Sequence, residues 1–282
     1  MEPQLASGSD IASGSAPRYG TAMPNSSPST QADLVRDTFE ARAAEYASWY
    51  DGATFSAQAF RRRRELTLEV IAALPAGRVL DIGCGPAVMV GEMLAMGHEV
   101  WGVDVAPAMI EQCRARFASD PRAHFEVGQI EQMAFADDSF DAVTCLGVVE
   151  YLDEDLAAIR EMHRVLKPGG VAIITCPHYG APWRRWESIY WSIVEPVRRL
   201  LGRAPYDLIV HREYRERAYS ALLEDAGFSV VDVAYYGFGL VPFPLDKRLP
   251  RLHAQLDRAL QDQARGPLRK LGMGFNVTVR KR

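Results

Sequence analysis

Two short stretches hold residues whose types and spacing could do chemistry: VLDIGCGPA, from Val79 to Ala87, and GVDVAP, from Gly102 to Pro107. The apolar Val79, Leu80 and Ile82 read as a buried parallel strand. That strand ends in Gly83-Cys84-Gly85-Pro86-Ala87, a tight turn in which absent side chains let a ligand approach the backbone. A helical pattern over Val88–Met96 follows, so orphan amides at a helix start are expected to face that ligand. A second strand, Glu99–Val103, runs into Asp104. A carboxylate at that tip is placed to accept both hydroxyls of a ribose.

Two kinds of nucleotide site begin this way. A dinucleotide loop reads G-x-G-x-x-G and cradles a pyrophosphate. Here the first two glycines fit, but Val88 holds the third position. Asp81, two residues before Gly83, would repel a pyrophosphate. It suits a ligand that carries an ammonium and a sulfonium, which favours S-adenosylmethionine (SAM) over a nicotinamide dinucleotide.

With these residues the chain resembles the class I SAM-dependent methyltransferases, among them those of quinone biosynthesis. The resemblance is close over Val79–Pro177 and looser to the C-terminus. It rests also on GQIEQMAFADDSFDAVTCLGVVEYL (Gly128 to Leu152), LKPGGVAIITCP (Leu166 to Pro177) and EDAGFSVVDV (Glu224 to Val233). It implies a Rossmann-like α/β sheet of seven strands in the order 3-2-1-4-5-7-6, the last strand antiparallel. It further implies that the glycine loop, Gly83 and Gly85 with Cys84, wraps the methionine part of the ligand. Asp81 then reaches the amino group and Asp104 the ribose, and the cofactor set extends to Val105, Met109, Gln129, Ile130 and Leu146. Three positions depart from the pattern. Gln129 replaces an adenine-facing acid, Ala134 replaces a proline, and Tyr151 replaces a histidine after the fourth-strand glutamate.

The whole chain narrows the remaining classes. Its 282 residues suit one large domain or a domain with a lid. A net charge of −4 gives no nucleic-acid footprint. Cys84, Cys113, Cys145 and Cys176 have no C-x-x-C spacing and read as buried reduced thiols of a cytoplasmic protein. No His/Cys/Asp cluster has metal-ligand spacing, so no metal is expected. No apolar run spans a membrane, and no signal peptide is apparent. Met1 to Gln31, rich in Ser, Gly and Pro, reads as a disordered tail, and 32–282 as the catalytic domain.

Helical spacing predicts helices over Ala32–Tyr50 and Ser56–Leu74. Tyr46 and Tyr50 on the first could close over the cofactor or pack in the core. The Arg61–Arg64 run on the second is a solvated face, unless one arginine reaches the SAM carboxylate. Strands and helices then alternate, with further strands at His124–Gly128, Phe140–Leu146 and Gly170–Cys176. This rhythm implies a parallel sheet covered on both faces.

The rhythm breaks over 177–214. There Trp186, Ile189, Tyr190, Ile193, Val194, Val197, Leu200 and Leu201 recur at helical spacing between arginines, and Pro196 is expected to kink or split the helix. Three readings stand for 183–203: a lid with its apolar face on the core, a peripheral membrane contact at the inner face, or a homodimer contact. Candidate bases at the methyl-facing strand ends are Tyr151, His178 and His211, with Glu150 beside them. His163 reads as structural. The function expected is methyl transfer from SAM to a small lipophilic acceptor, at oxygen of a quinone-precursor phenol or of a fatty-acid-like group. Carbon or nitrogen methylation is the alternative within the class. A silent SAM-binding regulator is the alternative outside it, and a dinucleotide oxidoreductase the most distant reading.

Overall fold

The computed structural model describes residues 30–46, 50, 54–202, 212–242 and 244–282. Seven strands form one sheet: β1 (Arg78–Ile82), β2 (Glu99–Asp104), β3 (Ala123–Val127), β4 (Phe140–Cys145), β5 (Leu166–Pro177), β6 (Phe228–Tyr236) and β7 (Gly274–Lys281). Their order is β3-β2-β1-β4-β5-β7-β6, as the resemblance implied. The first five are parallel, and β7 runs antiparallel to both β5 and β6. All five parallel strands therefore end on the same edge, where β1, β2 and β4 present the residues that follow them.

Side chains along β1 alternate between two cores. Leu80 and Ile82 pack with Phe140, Val143, Ala158, Ile159, Met162 and Leu223 on one face. Val79 packs with Ile71, Val90, Met93, Val100 and Ile110 on the other. Helices α5 (Asp155–Val165) and α7 (Glu216–Asp225) cover the first face. On the second lie α2 (Phe55–Ala72), α3 (Val90–Ala95) and α4 (Pro107–Arg116). A strand buried on both faces is apolar throughout, which makes the one charged residue of β1's interior, Asp81, stand out.

Several boundaries differ from expectation. Helix α1 (Gln31–Tyr46) starts one residue early, because Thr30 and Asp33 form a reciprocal cap: Asp33 N donates to Thr30 Oγ1 at 3.1 Å and Thr30 N to Asp33 Oδ2 at 3.2 Å. The rest of the expected tail lies outside the described residues. Helix α3 begins only at Val90, since 85–89 are spent in turns. A run of turns, not a helix start, therefore follows the glycine loop. Strand β5 begins at Leu166, four residues before the expected Gly170, because Leu166 already pairs with Phe140, with an irregularity before Val171 pairs with Ala142.

The segment after β5 forms α6 (Pro182–Leu200), continuous through Pro196. Pro196 and Ser192 are both exposed, so the Ser192 carbonyl that loses its helical donor can turn to water. The apolar stripe of α6 faces outward, not onto the core: Ile193 is 67% and Leu200 87% exposed, while Glu195 is only 7% exposed. Arg184 fixes this orientation, with Nε donating to Met273 O at 2.9 Å. Two short helices follow β6, α8 (Leu245–Arg248) and α9 (Pro250–Leu260).

Candidate active site

At the C-terminal edge of β1, β2 and β4 lies a cleft. The turn after β1 forms its floor. Gly83 N and Cys84 N both donate to Val103 O, at 2.7 and 3.1 Å. Gly83 has φ of 65°, and a Cβ there would stand 2.2 Å from Val148 Cγ2. Only glycine lets the β1 and β4 loops interlock this closely. Gly85 N donates to Asp104 Oδ2 and Ala106 N to Asp104 Oδ1, each at 2.9 Å. One carboxylate thus fixes two loops, yet each of its oxygens keeps a lone pair for a ligand hydroxyl. Burial raises the Asp104 pKa, against the amide hydrogen bonds that lower it.

Asp81 lies beneath this floor, 2% exposed. Thr144 Oγ1 donates to Asp81 Oδ1 at 2.6 Å. Burial nevertheless pushes its carboxyl up to about 7. A cation nearby would favour the ionised form.

Helix α1 covers the cleft. Ala43, Ala106 and Met109 form a small core with Phe39 and Tyr46, and Ala108 N donates to Glu40 Oε2 at 3.0 Å. Phe39 sets its ring edge-on to Tyr151 at 5.4 Å. Val35, Phe39 and Tyr46 line the cleft opposite Val148, Tyr151 and Leu152, whereas no residue of α6 lines it. The aromatic cover comes from the N-terminal helix, not from the insertion.

Of the four-arginine run, Arg63 turns inward and is buried. Its Nη2 donates to Tyr50 Oη at 3.1 Å, and its guanidinium lies 4.9 Å from the Phe60 ring centre. Gly147, with φ of 73°, leaves room for it: a Cβ there would be 2.8 Å from Arg63 Nη1. Burial opposes the charge, but Tyr50, Tyr236, Tyr46 and Glu150 outweigh it, and the pKa is raised. Arg63 Nε has no hydrogen-bond partner among the described residues.

The structure brings together most of the residues expected from sequence. Gly83, Gly85, Asp104, Val105, Met109, Gln129, Ile130, Leu146 and Tyr151 all line the cleft. Asp81 and Cys84 do not: both are buried behind the loop, with Cys84 Sγ 3.7 Å from Gly85 O. All four cysteines are buried and unbridged. His178 lies elsewhere. It is buried against Tyr235, its Nδ1 3.0 Å from Gly272 O, and it faces a separate depression with Tyr179, Arg215, Glu216 and Lys270. β5 carries it past the sheet edge toward β7, away from the cleft. Burial lowers its pKa. His211 is outside the described residues. Sequence reading missed Gly128, Gly147, Val148, Val35 and Phe39. The first three follow strand ends and were findable by position, but the α1 residues look like any helix face. Among the described residues there is no group of His, Cys, Asp and Glu able to hold a metal.

Comparison with known proteins agrees with this geometry. Residues 80–174 match the sequence pattern of the Methyltransferase domain family. A probable S-adenosylmethionine-dependent methyltransferase of Mycolicibacterium smegmatis is 30% identical over 204 residues, 71% of this chain and 72% of that protein. The ubiquinone biosynthesis O-methyltransferase of Xanthomonas campestris is 36% identical over 105 residues, 36% of this chain. The match spans only 44% of that enzyme's length, and 58% of a Streptomyces fradiae transposon protein that is 28% identical over 208 residues. The N-methyltransferase NodS of Bradyrhizobium japonicum, solved with S-adenosylhomocysteine (SAH), shares the fold: TM-score 0.59 at 16% identity, covering 88% of this chain and 99% of NodS. The magnesium protoporphyrin IX methyltransferase of Synechocystis gives the same TM-score and identity over 90% of this chain and all of that one. The fold and the glycine-loop site thus define a Rossmann-like methyltransferase, and the chain belongs to the SAM-dependent methyltransferases. Its cofactor is SAM. The cleft fits that molecule, since Gly83 and Gly85 line it without side chains and Asp104 offers paired acceptors.

Proposed function

We propose that this protein methylates a small lipophilic acceptor at oxygen, either a phenol of a quinone precursor or a fatty-acid-like carboxylate or hydroxyl. The observation that supports this most is the wall of the cleft built by α1 and the end of β4. Val35, Phe39, Tyr46, Val148, Tyr151 and Leu152 form an apolar, aromatic surface beside the glycine loop. Such a wall holds a greasy molecule by excluding water, while a few polar groups orient it.

In this reading Asp104 accepts the ribose hydroxyls, the Gly83–Gly85 loop cradles the methionine chain with Asp81 near its ammonium, and Arg63 pairs with its carboxylate. When bound, SAM would supply a methyl on a sulfonium; as the acceptor oxygen forms the new C–O bond in line, the C–S bond would break to release SAH, and the hydroxyl proton would pass to solvent. The chain's contribution is alignment, which can supply roughly 7–11 kcal/mol of such a barrier. Tyr151, the one candidate base among the described residues that lines the cleft, positions the acceptor hydroxyl by a hydrogen bond. The enzyme works in the cytoplasm, in peripheral contact with the membrane where such acceptors partition.

Incubation with methyl-labelled SAM and either a lipid or a quinone-precursor extract tests the reading. Label should enter lipophilic products as O–CH3, and Tyr151→Phe should slow the transfer without changing SAH affinity. Label on carbon or nitrogen would move the acceptor atom. SAM binding without any transfer would indicate a regulator.

A further inference from the structure

Helix α6 is mounted inside out. Trp186, Ile189, Ile193, Val197 and Leu200 recur every three or four residues, and all five are 45–87% exposed. The opposite side holds Arg184, Glu187 and Glu195, turned to the body of the protein. Arg184 is bonded to Met273 O and paired with Glu213 at 3.6 Å. A surface helix ordinarily buries its apolar stripe and exposes its charges. This one spends buried contacts on polar groups and leaves water against a face about 28 Å long (19 residues). Large contiguous apolar surfaces of this kind mark interaction sites.

Charge decides what covers the face. Both acids of α6 point inward, Glu195 pairing with Arg198 at 3.5 Å and with Arg199 at 3.6 Å, while Arg185 and Arg199 are exposed along one flank of the stripe. An antiparallel pairing of α6 with α6 of a second copy would set Arg185 of one chain against Arg199 of the other, like against like. A bilayer with anionic headgroups offers the complementary arrangement, acyl chains for the stripe and phosphates for the arginines. Leu240 extends the exposed apolar surface beside the helix start, where Gly239 lies against Trp183.

We infer that α6 lies in the headgroup region of an anionic membrane, its Trp186–Leu200 stripe inserted and its arginines on lipid phosphates. Docking in this way would present the enzyme to acceptors dissolved in the bilayer; that consequence rests on the lipophilic-acceptor reading, whereas the docking itself does not.

Flotation of the full chain with phosphatidylcholine–phosphatidylglycerol vesicles, without acceptor, tests the inference. The protein should float with these vesicles and far less with pure phosphatidylcholine. The double variant Ile193→Glu/Leu200→Glu changes exposed side chains only. It should lose roughly tenfold or more of the partition, with SAH affinity unchanged in calorimetry as proof of folding. Arg185→Glu with Arg199→Glu should cost about fivefold per arginine. Absence of flotation by the wild type, or unaltered flotation of the Glu double variant, would overturn the inference. So would a wild-type dimer in light scattering that the Glu variant splits, with no vesicle binding. If flotation holds but methyl label enters only water-soluble products, the docking stands and the acceptor reading falls.

Discussion

The cofactor edge of the sheet and helix α6 solve opposite problems with similar residues. At the sheet edge, Asp81, Asp104 and Arg63 are buried, and backbone geometry fixes their surroundings: amides hold Asp104, a β4 hydroxyl holds Asp81, and Gly147 clears space for Arg63. On α6 the charges that face inward serve as anchors, and apolar side chains face water. In the proposed function, buried charge at the first site serves a small charged ligand. Exposed apolar surface at the second is matched to something large. On the inferred docking, cofactor binding and acceptor supply fall on separate elements of this chain and should be separable by mutation.

The largest effect should come from the interlocked loops. Gly83→Ala places a methyl in Val148 and strains a left-handed residue. Overpacking and backbone strain together should cost about 2–4 kcal/mol in urea unfolding and abolish measurable SAH binding. Unfolding unchanged from wild type would show that the two loops are not interlocked.

Asp104→Ala should follow. Hydrogen bonds to a charged group are worth about 1.5–3 kcal/mol, so SAH affinity should fall roughly 10- to 150-fold. The orphaned Gly85 and Ala106 amides push the loss toward the upper end, and Asp104→Asn should recover part of it. Calorimetric titration of the folded variants reads this directly; wild-type affinity in Asp104→Ala would place the ribose elsewhere.

A smaller effect concerns pH. The Asp81 carboxyl, pushed up to about 7 by burial, is partly protonated near neutrality. A ligand ammonium stabilises the ionised form and lowers that pKa. SAH affinity should therefore rise as pH approaches 7, level off above it, and fall below it by up to about tenfold per pH unit. Asp81→Asn should flatten this dependence. For stability the sign is reversed from that of a paired carboxylate. The folded protein binds the extra proton between the ordinary value of 3.8 and about 7, so stability from this group declines as pH rises through that window. A profile as steep in Asp81→Asn as in wild type would assign the titration to another group.

The smallest effect belongs to the cleft cover. Thr30→Ala removes one half of the α1 cap and should loosen that helix by about 1 kcal/mol, visible as faster hydrogen exchange over 31–39. SAH affinity should drop no more than about fivefold. α6 variants, by contrast, should not affect it at all.

The cofactor edge was legible because its residues are tied to strand ends, and strand ends can be read from apolar runs and glycines. VLDIGCG and GVDV locate Asp81 and Asp104 with no knowledge of what surrounds them, and the alternation of elements gives the sheet. The helix after the glycine loop was over-read, since Val88 and Met89 fit a helical pattern but are used in the turn. His178 was misdirected by its position after β5: adjacency in sequence to a strand end does not say which side of the sheet edge a side chain takes. The orientation of α6 was not legible. Its periodicity defines an apolar stripe, but only tertiary anchors such as Arg184 on Met273 decide whether that stripe faces the core or water. The choice of Arg63 from four consecutive arginines depended likewise on Gly147, far away in sequence.

The most direct test of the site is a crystal structure with SAH bound. The ribose hydroxyls should lie within hydrogen-bond distance of Asp104, the adenine should sit among Val105, Met109 and Gln129, and the carboxylate should be near Arg63, with α6 unchanged. A ribose away from Asp104, or an Arg63 side chain turned from the ligand carboxylate, would contradict this account of how the chain holds its cofactor.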